Sequence, residues 1–140
     1  MPQRLGGAVA FAVPAEVAFD YLVEPRNRPE WQVSLRRVED VTGRPSVGQT
    51  WTDVTRPGLR PAMRTDALDR PRLWSESGTW RFVRADLTLH FHPGGAQDCE
   101  VQFAFRIHAL GPLGLAATAL SVPAVRSDLE RAARILSSRR

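Results

Sequence analysis

The longest hydrophobic pattern in this chain lies at its C-terminal end. Through residues 112–138 apolar side chains recur at three- and four-residue intervals, which is the spacing of one helix face. Charged residues flank the apolar stripe in the second half of this stretch, whereas the first half is apolar nearly all round. Pro123 lies between the halves and predicts a kink near Val122. A helix that is apolar on every side must be covered by protein or by a bound molecule.

The rest of the chain shows the two-residue alternation of β-strands. A first strand is predicted at residues 8–13, followed by a short helix after Pro14 and by a single helical turn over residues 28–32, anchored by Trp31. Further strands with turn signals between them are predicted at residues 35–41, 49–55, 62–68, 73–80, 85–92 and 99–109. This order predicts an α+β fold in which helices pack on one face of an antiparallel sheet.

Alternation also assigns a face to each residue of the last two strands. The core face of the last strand should carry Val101, Phe103, Phe105 and Ile107, and that of its neighbour Leu87, Leu89 and Phe91. His90 and His92 then point to solvent, so we expect no metal site there.

The predicted hairpin over residues 62–80 contains a candidate functional residue, Glu76. A turn at residues 69–72 places Leu68 opposite Leu73, which pairs Ala67 with Trp74, Thr65 with Glu76 and Met63 with Gly78. Glu76 therefore faces inward between Trp74 and Trp80, where burial would raise its pKa. It is a candidate for orienting a ligand hydroxyl or for general acid–base catalysis. The alternative is that Glu76 lies at a pocket mouth or pairs with an arginine.

The preceding strand is assigned in the same way. Counting across the loop at residues 56–61 places Thr50, Thr52 and Val54 inward and puts Asp53 opposite Arg64 on the outer face. A loop of odd effective length would reverse these assignments.

Composition narrows the class of protein. The chain has 140 residues, 43% of them hydrophobic, which suits one domain with one core. Its basic residues are all arginines and are scattered, with a net charge of +4, so we expect no nucleic-acid partner. The single cysteine, Cys99, excludes a disulfide and indicates a reducing compartment, which predicts a cytoplasmic location. No stretch is long and apolar enough for a transmembrane segment, and no metal or cofactor is expected.

Several phrases together resemble a known family. These are VPAEVAFDYLVEPRNRPEW, VGQTW, DRPRLWSESG, LTLHFHPGGAQDCEVQFAFRI and SDLERAARIL. The chain resembles the START-like (SRPBCC) helix-grip superfamily, in its polyketide cyclase/dehydrase and lipid-transport branch. The resemblance implies a curved antiparallel sheet of about six to seven strands, two short helices after the first strand, and a long C-terminal helix gripped by the sheet. It also implies a hydrophobic cavity between sheet and helix.

The resemblance implies that residues 1–140 form one START-like ligand-binding domain. Family members bind lipids, polyketides and other apolar molecules, and some catalyse cyclisation or dehydration. Aromatase/cyclase members use pocket Arg, Tyr, Trp and carboxylate side chains. Here the only tyrosine is Tyr21 and no arginine is expected to face inward, which disfavours the cyclase interpretation.

We therefore expect a carrier or sensor of a small hydrophobic or amphipathic molecule, oriented by Glu76, with residues 110–120 as a lid. The expected pocket walls are Met63, Thr65, Trp74, Trp80, Leu89, Phe91, Phe103, Phe105, Leu113, Ala117 and Leu120. One alternative is a polyketide cyclase or dehydratase with Glu76 as acid or base. Another is a domain with a filled core whose apolar helix half forms a homodimer surface.

Overall fold

Seven strands form one antiparallel sheet in the computed structural model, which describes residues 5–109 and 112–139. The sheet order is β1-β7-β6-β5-β4-β3-β2. The strands are β1 (Leu5–Phe11), β2 (Leu35–Glu39), β3 (Thr50–Thr55), β4 (Ala62–Asp69), β5 (Leu73–Trp80), β6 (Val83–Pro93) and β7 (Cys99–His108). The helices are α1 (Ala15–Val23), α2 (Arg28–Trp31) and α3 (Leu113–Ser138), with a 3₁₀ turn at Pro25–Asn27. This is the predicted α+β helix-grip arrangement.

The core lies on one face of the sheet, under the helices. Alternation along β6 and β7 buries Leu89, Phe91, Val101 and Phe103 and leaves the intervening His90 exposed, as the pattern predicts. Helix α3 packs on β1 and β7. No helix in the described ranges is long and apolar enough to span a bilayer.

Two predicted registers are wrong. Thr65 pairs with Glu76 and Met63 with Gly78 as expected, but a bulge between Thr65 and Ala67 shifts the rest of the hairpin by one residue. Ala67 therefore pairs with Ser75, and Leu68 with Trp74 rather than Leu73. The pairs on the turn side differ because the loop is three residues, 70–72, rather than the predicted four, so that Asp69 pairs with Leu73. The bulge adds one residue to β4 and offsets this difference, so the predicted pairs beyond it are correct.

The inward and outward faces of β3 are the reverse of those predicted. Trp51 pairs with Met63, and Thr50 rather than Asp53 pairs with Arg64. Consequently Trp51 and Asp53 are buried and Thr50 is exposed. The loop joining β3 to β4 is tighter than counted, and a shift by an odd number of residues exchanges the two faces of a strand.

Helix α3 continues through Pro123 as one element, and its two halves are held differently. The second half buries Leu129, Ala132 and Leu136. The first half is fixed to β7 by Thr118, whose hydroxyl accepts the N–H of Ile107 at 2.8 Å and donates to the carbonyl of Gly114 at 2.7 Å. The expected lid includes Leu110 and Gly111, which lie outside the described residues.

A matched pair of substitutions tests this division of α3. Leu129→Ala should lower the free energy of unfolding by about 2–5 kcal/mol, because Leu129 is fully buried and its truncation leaves a cavity. Leu120→Ala should change it by less than about 0.5 kcal/mol, because Leu120 is 81% exposed. Urea unfolding of both variants measures the difference, and equal losses would contradict this packing.

Candidate functional site

A buried arginine is the central group of the candidate site. Arg28 opens α2 and Trp31 ends it, so the two side chains lie three residues apart on the same side of one helical turn. Both are almost completely buried, at 2% and 1% exposure. Because buried charges are retained only where they are paired, the position of Arg28 points to carboxylates inside the fold.

Those carboxylates are Asp53 on β3 and Glu76 on β5. Arg28 donates to Asp53 twice, from Nε to Oδ1 at 3.1 Å and from Nη2 to Oδ2 at 2.8 Å. The indole N–H of Trp51 also donates to Asp53 Oδ1, at 3.0 Å, and the guanidinium lies over the Trp51 ring, 5.1 Å from its centroid. Burial opposes the charge of Arg28, but the two carboxylates outweigh it and raise its pKa.

Glu76 is bound less completely than Asp53. Arg28 Nη1 donates to Glu76 Oε1 at 3.2 Å and lies 3.0 Å from Oε2, but Oε2 has no hydrogen bond within the described residues. Burial raises the pKa of Glu76 to about 7, although the Arg28 charge opposes this; the Asp53 carboxylate adds to the increase. Of the two alternatives for Glu76, the structure shows the pairing with an arginine, and Glu76 also lines a cavity.

The cavity lies between the sheet, α2 and α3. Its volume is about 130 Å³, and its walls are Arg28, Trp31, Gln32, Met63, Glu76, Ala85, Leu87, Phe105, Val125 and Asp128. An apolar cavity of about 150 Å³ accommodates benzene in an engineered protein, so this space suits one ring-sized group. Gly78 leaves room for the Met63 side chain of this wall, because a Cβ there would lie 2.6 Å from Met63 Sδ.

Two further polar groups belong to residues of the cavity wall. Asp128 is half-buried on α3, and within the described part of the chain it accepts one hydrogen bond, a long one of 3.3 Å from the backbone N–H of Val33. Burial raises the pKa of Asp128 to about 6. The indole Nε1 of Trp31 is buried and has no acceptor within the described residues. The cavity therefore combines apolar walls with polar atoms that retain unused hydrogen-bonding capacity.

A second apolar hollow adjoins the first. Its volume is about 210 Å³, and Met63 and Ala85 line both spaces. Trp80, Val83 and Gly78 complete the second hollow with Asp53 and Pro61. Methionine has three rotatable bonds and fills irregular gaps, so the Met63 side chain is the movable part of the boundary.

The structure places the expected wall residues in three different environments. Met63 and Phe105 line the cavity with Glu76, and Trp80 lines the neighbouring hollow. The core itself, away from both spaces, contains Thr65, Trp74, Leu89, Phe91 and Phe103.

The expected positions of three α3 residues are corrected. Leu113 and Leu120 are 69% and 81% exposed and Ala117 is half-buried, and none of them lines the cavity. The side of α3 that meets the cavity is instead that of Val125 and Asp128.

Sequence reasoning missed Arg28, Trp31, Asp53 and Asp128. The expectation that no arginine faces inward is wrong, because Arg28 is buried and lines the cavity. The sequence contains one signal for Arg28: Trp31 is the predicted anchor of its turn, and the residue three positions before an anchor shares its side of a helix. Asp53 was missed because the face of β3 was reversed. Asp128 lies on the charged flank of α3, which sequence alone does not distinguish from a solvated surface.

Removing the Arg28 charge should destabilise the fold strongly. Arg28→Met leaves two buried carboxylates without a cation, which should lower the free energy of unfolding by about 3–5 kcal/mol. Arg70→Met is the control, because Arg70 makes the same two-point contact with Asp20, both distances being 2.8 Å, at an exposed site. It should cost less than about 1 kcal/mol. Equal losses in urea unfolding would show that Arg28 is not an essential cation.

The raised pKa of Glu76 predicts how stability depends on pH. Between its ordinary value of 4.5 and about 7, the folded state holds a proton that the unfolded chain has released, so the contribution of Glu76 is full at low pH and is lost as pH rises through that range. Between about pH 5 and about pH 8, the thermal midpoint of Glu76→Gln should therefore fall less than that of the native chain. Asp128, still present, adds a decline of the same sign. The exposed Glu130→Gln control should keep the native slope; an unchanged slope in Glu76→Gln would contradict the assignment.

The fold resembles several solved structures at low sequence identity. A START superfamily protein from Mycobacterium smegmatis has a TM-score of 0.75 and 12% identity, over 95% of this chain and 98% of the other. Norcoclaurine synthase from Thalictrum flavum, in complex with dopamine and hydroxybenzaldehyde, has a TM-score of 0.73 and 12% identity, over 99% of this chain and 88% of the synthase chain. The di-domain ARO/CYC protein BexL has a TM-score of 0.77 and 19% identity, over 96% of this chain and 46% of BexL. At these identities the likeness shows the fold alone.

Sequence comparison is informative at the level of the family. No curated protein matches the chain. A family model described as polyketide cyclase / dehydrase and lipid transport matches residues 3–139, nearly the whole sequence. With the helix-grip fold already established from the sheet order and α3, the chain belongs to the polyketide cyclase/dehydrase and lipid transport family.

Proposed function

We propose that this protein binds a small hydrophobic or amphipathic molecule, as a carrier or sensor, in the cavity between the sheet and α3. The observation that carries the proposal is a buried carboxylate, Glu76, with one oxygen that has no hydrogen bond within the described residues, on the wall of a largely apolar cavity. Apolar walls with a few polar groups are the usual make-up of small-molecule sites. The family description, which includes lipid transport, supports the same interpretation.

The dimensions of the site favour a ligand with a compact head. The cavity of about 130 Å³ accepts a ring-sized group beside Glu76. A longer apolar part would extend past Met63 into the neighbouring hollow of about 210 Å³. Met63 lines both spaces and has three rotatable bonds, so its rotation is the movement that would join them.

A second candidate function is catalysis by Glu76. A general acid or base is most effective when its pKa lies near the operating pH, and burial raises the pKa of Glu76 to about 7. The resemblance to BexL and to norcoclaurine synthase, whose structure holds two small aromatic molecules, is compatible with a cyclase-like activity. On this interpretation Glu76→Gln abolishes turnover of a bound substrate but preserves its binding.

Binding is tested with a neutral probe of the right size. Fluorobenzene, followed by fluorine NMR, should bind saturably to the native protein. Ala85→Phe fills the cavity from β6 and should weaken binding by about tenfold or more. His90→Phe adds the same ring to the outer, exposed face of β6 and should leave the affinity unchanged.

Thermal unfolding checks that both variants are folded, and Ala85→Leu replaces Ala85→Phe if the larger ring unfolds the domain. Equal affinity of the two variants, or no saturable binding to the native protein, would contradict a binding function at this cavity.

A further inference from the structure

The charges around the cavity do not balance. Asp53 engages both Nε and Nη2 of Arg28, so this pair is neutral by itself. Glu76 shares only the remaining Nη1, and Asp128 contributes a further carboxylate to the same cavity wall. With its acids ionised, the site therefore has an excess of negative charge that Arg28 does not offset.

Neighbouring charges outside the wall do not correct this excess. Arg131 is close enough to affect Asp128 electrostatically, but it is exposed and donates from Nε to the backbone carbonyl of Glu30 at 2.9 Å. Asp66 also acts on Glu76 electrostatically, but it is itself acidic, and Arg84 Nη2 lies 3.9 Å from its Oδ2. The cavity wall thus presents two carboxylates, a buried one that shares a single guanidinium nitrogen and a half-buried one with a long hydrogen bond, in largely apolar surroundings where an unpaired charge is costly.

We propose that the cavity selects a protonated amine on a small apolar or aromatic group, with its ammonium between Glu76 and Asp128. The inference rests on the proposed binding function and names the chemical class of its ligand. An ammonium supplies three N–H donors and a positive charge. Glu76 Oε2 has no hydrogen bond within the described residues, and Asp128 accepts a long one from the Val33 N–H. The ring-sized space accepts the apolar part against Leu87, Phe105 and Val125.

Other head groups fit this charge pattern less well. A carboxylate or phosphate would lie beside two acids, and Arg28 is already bound by Asp53. A neutral alcohol would satisfy one oxygen and leave the excess charge. The unbonded indole N–H of Trp31 is a single donor and does not compensate for the repulsion of an anion.

Three ligands of similar shape but different charge test the inference. Benzylamine, benzyl alcohol and benzoate are each titrated directly by calorimetry at about pH 8, above the pKa values of both acids, about 7 for Glu76 and about 6 for Asp128. Benzylamine should bind at least about tenfold more tightly than benzyl alcohol, and benzoate most weakly. The Ala85→Phe variant should lower the affinity for benzylamine by a similar factor. That result would distinguish binding in the cavity from electrostatic attraction to the protein surface.

Variants identify the acids responsible. Glu76→Gln and Asp128→Asn should each lower the affinity for benzylamine by about tenfold. Each should change the affinity for benzyl alcohol by less than about twofold. Glu130→Gln removes an exposed charge from the same helix and should change neither. If Glu76→Gln fails to fold, Asp128→Asn still decides the matter.

The outcomes separate the two proposals. If fluorobenzene binds but benzylamine is no tighter than benzyl alcohol, or if both acid variants keep the native preference for amine, the amine inference is overturned and the binding function stands. If neither fluorobenzene nor benzylamine binds, both proposals are overturned.

Discussion

The buried guanidinium of Arg28 is the interaction on which the arrangement of the site depends. It joins α2 to Asp53 on β3 and Glu76 on β5, and so fixes the helical turn to strands that are not adjacent in the sheet. Because breaking a buried ion pair leaves an uncompensated charge, moving α2 away from the sheet would cost considerable free energy. Trp31 moves with Arg28 on the same turn, so one cluster sets both the polar end of the cavity and one of its apolar walls.

Helix α3 closes the cavity with a short part of its length. Thr118 ties its first half to β7, where Gly114 permits an approach so close that a Cβ would lie 2.8 Å from the carbonyl oxygen of Ile107. That contact turns Leu113 and Leu120 toward solvent. The cavity consequently meets α3 only around Val125 and Asp128, which accounts for both its small volume and its second carboxylate.

The fold was predictable to the extent that it follows from local alternation. Strands β6 and β7 have a regular register over their whole length, so their buried faces followed from period two alone. The site was less predictable because its residues are brought together by strand registers and by contacts between residues far apart in the sequence. A bulge near Asp66 and the tight connection after β3 changed registers, and the partner of Glu76 came from a helical turn 48 residues earlier in the chain. Met63 and Phe105 were identified as wall residues, but of the charged residues on the cavity wall sequence reasoning identified Glu76 alone, as an acid on an apolar face.

Stability alone does not explain this site. Replacing buried ionic groups by apolar residues of similar volume is often neutral or stabilising, and Asp53 already neutralises Arg28. The structure nevertheless keeps Glu76 with an unbonded oxygen and Trp31 with an unbonded N–H on the same cavity wall. Gln49, Thr65 and Trp74 also have buried unbonded polar atoms, but none of them lines the cavity. What separates the two sets is the adjoining space: among these five described residues, it is Glu76 and Trp31 that line a cavity with room for a molecule the size of one ring, which could supply the missing hydrogen bonds.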